Sequence, residues 1–429
     1  MVRFYRGEKI AKRCASGYYP PMWRALPLTL FWFVYMGGLG IFFPYYSLYL
    51  RENVGLTGTQ VGLVLAMTPL VGIVAQPFWG QVADRTGARS RVLAFLALGA
   101  AVGYLVLAAV SGFPALILAT AALAAFTTAV LPVTVSVSLA ALRDVGPHAF
   151  GLVRVWGTLG FLLLVVGFPW VLHQFQAVRG LTPEPGGPSE PGLEVMFIAT
   201  AALAFMAALV GLALPREGAL ALRASRGDWR TLIRNGAVVR FLLFVLGAYL
   251  LLQGPMWLFP VYVRARGGDM DTIRRMWILM LIVEIPLVIS SGAGLKRLGA
   301  RGLLALGVLA GGLRWTACGF IDDLYVIYPV QMLHGVIVAG LLLGGPLYLD
   351  AVVPERLRST AQALLSMVGV GIGGIASNTG AGWLLEHVGP DAPYIVGGIG
   401  ALALGCLVFW ILPSPDVASI PHRDGNSPG

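Results

Sequence analysis

Few ionisable side chains interrupt the long apolar stretches of this sequence, and those that do can exchange protons or grip anions. Glu284 lies inside such a stretch, about 18 Å along a helix from Lys296. A carboxyl placed there is pulled one way by desolvation and the other by any neighbouring cation. Poised between the two, it can load a proton from one side and release it to the other. Arg314 and His334, at similar depth in the next two stretches, are the cations expected beside it, and Gln331 shares the face of His334 at i, i+3. A static ion pair that fixes packing, or a neutral buried acid, would place the same residues there. Gln253 precedes Gly254–Pro255, where a kink would free backbone carbonyls. Arg154 is the first-half counterpart, and a guanidinium can hold a carboxylate bidentately; otherwise it tethers two helices. Trp156 beside it, and Tyr35, could line an apolar ligand site.

Other chemistry is missing from the sequence. There is no HExxH, no CxxC and no pair of acids within one apolar stretch, so no nucleophile, metal or carboxylate-dyad enzyme is expected. Cys14, Cys318 and Cys406 are far apart and give neither a zinc spacing nor a disulfide framework. We expect no cofactor, no metal and no catalytic residue. Asp322–Asp323 reads as a solvated loop.

The elements that must position these groups follow from composition. The 429 residues are 57% hydrophobic and 12% charged, against about 25% charged in soluble domains. The stretch 26–50 carries no charge at all, and about 20 apolar residues cross a bilayer as a helix. Twelve spans are predicted: 26–50, 57–83, 92–111, 114–141, 149–172, 193–214, 238–263, 270–294, 302–320, 325–350, 358–385 and 393–412. The basic start before the first span is followed by a run too long for a removable leader. An even number of spans puts both termini on one side. Roughly 22 of the 30 Lys and Arg residues fall on that side, which makes it cytoplasmic. The net charge of +10 therefore belongs to short loops at a lipid surface, and no nucleic-acid partner is expected. Arg264, Arg266, Arg274 and Arg275, between spans 7 and 8, run against the rule. The segment 176–191 reads as a flexible outer loop. The span 1 aromatics Phe31, Trp32, Phe33, Tyr35, Phe42, Phe43, Tyr45, Tyr46 and Tyr49 are expected mostly to face lipid or the interface belts.

The chain repeats itself. GQVADRTGAR at 80–89 and GAGLKRLGAR at 292–301 share Gly80/Gly292, Arg85/Arg297, Gly87/Gly299 and Arg89/Arg301, 212 residues apart. A fixed offset near half the length signals duplication. Gly87 and Gly299 permit the tight turn between antiparallel spans. Asp84 can face the N-terminal end of the span after Pro354, or pair with Arg143. Contacts of this loop across the halves would act as a gating latch.

The Gly-x-x-x-Asp-Arg-x-Gly-x-Arg pattern of Gly80 to Arg89 resembles the signature loop of the major facilitator superfamily, whose two-half, twelve-span plan matches the whole chain. FGLVRVWGTLGF (150–161), VEIPL around Glu284, LRW at 313–315, Leu333–His334 and RSTAQALLS (358–366) further resemble the phenylpropionate permease and lactose permease-like group. That likeness implies uptake of a small organic solute with protons. It makes Arg154 a substrate contact and places Glu284 and His334 in the coupling region, where the basic residue three places before the histidine is replaced by Gln331. The residues themselves add Arg314 to the coupling group and Trp156, Tyr35, Gln253 and Gln331 to the candidate substrate contacts. The span 4 carboxylate of lactose permease is missing, since Ser136 and Ser138 stand in PVTVSVSLA, so a galactoside is disfavoured.

The expected protein is an all-α membrane protein with two six-helix bundles, 1–214 and 237–414. A cytoplasmic linker, 215–236, joins them, and a cytoplasmic tail, 415–429, follows. The expected function is alternating-access, proton-coupled symport of a small organic solute, leaning to an aromatic or other carboxylate. A drug or metabolite exporter of the same fold, or a transport-dead sensor, is the alternative. The expected setting is a bacterial-type inner membrane, as a monomer.

Overall fold

The structure is a computed structural model, and it describes residues 26–142, 147–214, 229–354 and 357–414. Arg143, the linker residues 215–228 and the tail 415–429 lie outside the described residues.

A chain in hydrocarbon must satisfy its backbone internally, and the described residues are helical almost throughout. Among the described residues, eleven helices are long and apolar enough to cross a bilayer. They are Leu26–Asn53 (span 1), Gly58–Thr86 (span 2), Arg89–Ala109 (span 3), Phe113–Ala141 (span 4), Phe150–Arg179 (span 5), Val195–Leu212 (span 6), Gly236–Ala265 (span 7), Leu298–Phe320 (span 9), Leu324–Val352 (span 10), Thr360–His387 (span 11) and Ala392–Ile411 (span 12). Span 8 is the first arm of the helix Met270–Phe320. Its 51 residues would extend about 77 Å if straight, more than twice a hydrocarbon core. The helix breaks at Gly299, φ +66°, and doubles back. Gly87, φ +62°, ends span 2 the same way. The repeated glycines therefore take the same left-handed turn at equivalent places in the two halves.

Packing repeats with the sequence. Within the first half span 1 packs on 5 and 6, span 3 on 6, and span 4 on 2 and 3. Within the second, span 7 packs on 11 and 12, the helix carrying spans 8 and 9 on 12, and span 10 on that same helix. Each first-half pairing thus has its counterpart six spans later. The halves meet through three pairs: 2 with 11, 5 with 8, and 1 with 7. We call the side of the Gly87 and Gly299 turns the signature face and the other the far face.

Two expectations are corrected, and a third observation bears on the far-face arginines. Most span 1 aromatics turn inward: Phe31, Trp32, Tyr35, Phe42, Tyr45, Tyr46 and Tyr49 are buried. The reason is that span 1 packs against spans 5, 6 and 7 and keeps little lipid surface. The 176–191 segment is docked by hydrogen bonds to the end of span 1. The four far-face arginines are neutralised locally. Arg264 pairs with Glu52 at 3.4 Å, Arg266 with Asp322 and Asp391 at 2.7 Å each, and Arg274 and Arg275 both with Asp271. Each of the four thus has a carboxylate partner on its own face, while the charge rule, which counts Lys and Arg alone, still sets them as its exception.

Candidate transport site

Span 10 is not a continuous helix. Its first piece ends at Val330, a turn follows, and Leu333–Val338 resumes. Gln331 sits in that interruption and His334 in the first turn of the resumed helix, and both turn to Arg314 of span 9. Arg314 Nε donates to Gln331 Oε1 at 2.9 Å, and Arg314 Nη1 meets His334 Nδ1 at 3.1 Å. Gln331 is fixed in turn by donating to the Ile327 carbonyl at 3.2 Å. The Arg314 guanidinium is fully buried. It lies over the Trp315 ring at 4.1 Å and touches the sulfurs of Met256 and Met280 at 3.5 and 3.4 Å. A buried guanidinium normally needs a carboxylate; here ring faces, an amide oxygen and an imidazole take its place.

The contact with His334 fixes a tautomer. Guanidinium nitrogens only donate, so Nδ1 must carry the lone pair and Nε2 the hydrogen. That Nε2 faces Glu284 Oε2 at 3.7 Å. An imidazolium would set two donors against each other at Nδ1, so protonating His334 requires Arg314 to move. Glu284, His334, Arg314 and Gln331 therefore form one chain through the middle of the second half. From the first half, Arg154 of span 5 acts on Glu284 electrostatically across the 5–8 contact.

Two turns toward the far face, rings bridge the halves. Trp277 lies seven residues before Glu284 and Phe161 seven after Arg154, so each shares a helix face with its polar partner. Their centroids are 5.7 Å apart. Phe43 of span 1 stands edge-on to Trp277 at 5.6 Å and lies 4.0 Å from Trp257 of span 7. Trp277 is also edge-on to His334 at 6.3 Å, and its buried Nε1 has no partner among the described residues. Neither Trp277 nor Trp257 was singled out from the sequence. The i, i+7 spacing to Glu284 was the available signal for the former.

The other expected site residues are placed as follows. Trp156 is 48% exposed on a stripe with Leu152, Leu159 and Leu163, which is the lipid face of span 5, so it stands outside the cluster. Tyr35 is buried within the first half, donating to the Thr127 carbonyl at 3.3 Å. Gln253 packs against Gly374 of span 11. Asp84 pairs with Arg89 at 2.8 Å, within its own loop. Arg85 is exposed and Gly80 has open space around it. Arg301 Nη1 donates to the Leu412 carbonyl at 3.0 Å. Gly292 and Arg297 lie in 288–297, whose side chains are outside the described set.

The far ends of spans 2 and 11 are in backbone contact. A Cβ on Gly62 would lie 2.4 Å from the Asn378 carbonyl, and one on Gly382 2.5 Å from that of Gly58. Asn378 Nδ2 donates at 3.3 Å to the Leu65 carbonyl, which Pro69 leaves without its helical partner. Glu386 Oε2 accepts from Thr59 N at 2.8 Å, a carboxylate of one half at the span 2 N-terminus of the other. On the signature side of that seal lies a cavity of about 310 Å³, lined by Gln76, Pro77, Pro132, Gln362 and Ser366 among others.

A family model described as the MFS_1 like family matches residues 25–396. The chain belongs to the MFS_1 like family. The chain is thus a major facilitator transporter, and its relatives are transporters too. The maltose permease of Geobacillus stearothermophilus is 29% identical over 91% of this chain and 94% of its own length. The probable 3-phenylpropionic acid transporter of Escherichia coli is 26% identical over 72% and 77%. Among solved structures, the nucleoside transporter NupG superposes with a TM-score of 0.76 at 17% identity, covering 90% of this chain and 98% of that one. A D-xylose-proton symporter does so at 0.69 and 13%, covering 92% and 99%. These last two likenesses speak for the MFS fold.

Proposed function

We propose that this MFS transporter is a proton-coupled symporter that takes up a small, ring-bearing organic solute, with a carboxylate as its leading chemistry. The observation that carries the proposal is the Glu284–His334–Arg314 chain in the second half, with Arg154 of the first half acting on Glu284 electrostatically across the 5–8 contact. Glu284 is the proton carrier. Neutral His334 presents Nε2–H to its carboxylate, so ionised Glu284 is held in place. A proton arriving on Glu284 removes that attraction and frees His334 to turn. Arg154 then loses its counter-charge and is available to a solute carboxylate. Proton and solute thus share one site, with the bridging rings closing over the solute body. The named relatives carry maltose and 3-phenylpropionate; Arg154 and the missing span 4 carboxylate favour the acid.

In this reading the halves are 1–214 and 237–414, joined by the linker 215–236. The signature face is cytoplasmic in a bacterial-type inner membrane, as the basic loops require. The proton gradient is the driving force, with no bound cofactor, and one chain suffices for the path.

The test is full-length protein in proteoliposomes with an alkaline interior, offered 3-phenylpropionate, gallate or maltose. Solute-dependent alkalinisation outside is expected for the carboxylates. Glu284→Gln should abolish accumulation and keep solute exchange. Unchanged accumulation in that variant removes Glu284 from the coupling, and solute uptake without proton movement overturns symport.

A further inference from the structure

The segment between spans 5 and 6 is held to the molecule by hydrogen bonds that include a carboxylate shared with the second half. Span 1 ends in a π-helical turn, Tyr49–Asn53, which turns Glu52 and Asn53 toward that segment. Glu52 Oε2 accepts from the backbone N of Ser189 at 3.2 Å and from the Ser189 hydroxyl. Asn53 Nδ2 donates to the Glu190 carbonyl at 2.9 Å, and Gln176 Nε2 to that of Pro191 at 3.0 Å. Four prolines restrict the segment, and Gly192, φ +80°, passes so close to Leu181 and Phe175 that a Cβ would clash. It is a shaped strap. The other oxygen, Glu52 Oε1, pairs at 3.4 Å with Arg264 of the second half, whose Nη1 is held by the Gly268 carbonyl at 3.0 Å.

We infer that Glu52 is the positioning residue of a far-face strap: one carboxylate oxygen carries the 5–6 connection, the other carries Arg264, and docking of the strap is what sets Glu52 to hold the halves shut. This goes beyond the symport reading and rests only on its alternating access. An ion pair between flexible side chains near a surface contributes little alone, because ordering both costs entropy, and Glu52 and Arg264 are only partly buried. Two donors from the strap remove that cost by fixing the Glu52 rotamer before Arg264 arrives. The strap thus makes a weak pair into a closing contact, and its release frees the far face. The contact stands apart from the Glu386–Thr59 clasp, which joins spans 2 and 11 directly.

The test uses full-length protein in nanodiscs with Cys14→Ser and Cys406→Ser, and spin labels at Val178→Cys and Tyr325→Cys. These two positions are each 84% exposed, and one lies on each half at the far face. A single short distance is expected for the parent. Glu52→Gln and Arg264→Gln should each shift the distribution to a longer distance. Asn53→Ala/Ser189→Ala leaves the ion pair intact, removes only strap bonds, and should shift it the same way. The exchange Glu52→Arg/Arg264→Glu restores the pair but gives Ser189 no acceptor, so the longer distance should persist. A parent-like distance in the Asn53→Ala/Ser189→Ala protein, or in the charge-exchanged one, overturns the strap. Loss of proton coupling alongside a normal strap response sinks only the symport reading.

Discussion

At the scale of single residues, the groups that sequence reasoning picks out are those whose burial is hardest to justify otherwise. Charge inside a span is costly enough that Glu284, Arg314 and His334 could be named before any coordinates. Which of them touch could not, because that depends on the interruption of span 10 at Gln331 and on three spans converging. Trp277 escaped for the opposite reason: tryptophan in a membrane span has many uses, and nothing in its type marks it. Arg314 gives a direct expectation. Its fork reaches Gln331 and His334 at once, and a lysine ammonium cannot span both. Arg314→Lys should lower stability by about 3–5 kcal/mol, as loss of a partner in a buried charge network does. The thermal midpoint in detergent measures this. His334→Gln keeps an acceptor for Arg314 and should cost less than half as much. Equal losses in the two variants would show that the guanidinium fork is not what stabilises the cluster.

At the scale of elements, the spans were legible because hydropathy decides them, and the turn glycines because they recur. Gly87 and Gly299 both sit at φ near +60°, where a Cβ costs about 1–2 kcal/mol. Gly87→Ala and Gly299→Ala should each lower stability by about that amount, with the spans otherwise unchanged by circular dichroism. The direction of the span 1 rings was not legible, since periodicity separates a buried from an exposed face only when the two differ in polarity. In a bilayer both are apolar. The strap was misread for another reason: a Pro- and Gly-rich stretch looks the same whether it is loose or docked. Its Glu190 supplies a pH test. Burial lifts the Glu190 carboxyl above its usual range, against the lowering pull of Gln176, Arg264 and His173, while Glu52 adds to the rise. The docked state therefore binds the proton more tightly than an undocked, solvated one. Docking is favoured below the ordinary carboxylate value and loses that contribution as pH rises through the elevated one. Hydrogen exchange of the 180–194 amides, corrected for intrinsic rate, should show more protection in acid, and Glu190→Gln should remove the trend. Protection that falls in acid would mean that the charge on Glu190 helps docking.

At the scale of the whole molecule, the duplicate plan was written in the sequence, but the state of the two halves was not. A repeat fixes which spans pair inside each half. It does not say which face is shut, because both states bury similar surfaces. The structure is shut at the far face, and the tightest part of the seal is Gly58 and Gly62 against Asn378 and Gly382. These glycines are needed in one state only. A valine at Gly62 would drive its Cβ into the Asn378 carbonyl, which is backbone and cannot swing aside. The atoms nearest that Cβ all belong to the second half, so the first bundle should fold and melt as before. The energy falls instead on the equilibrium between states, where about 1.4 kcal/mol already changes populations tenfold. Gly62→Val is therefore expected to open the far face, lengthening the Val178–Tyr325 label distance. It should also close the signature side, so that a cysteine at Ser366 reacts more than about tenfold more slowly with a polar maleimide. Net transport should fall while solute binding from the far face persists. A protein that keeps its short distance and reactive Ser366→Cys would show that the two halves do not close on this glycine contact.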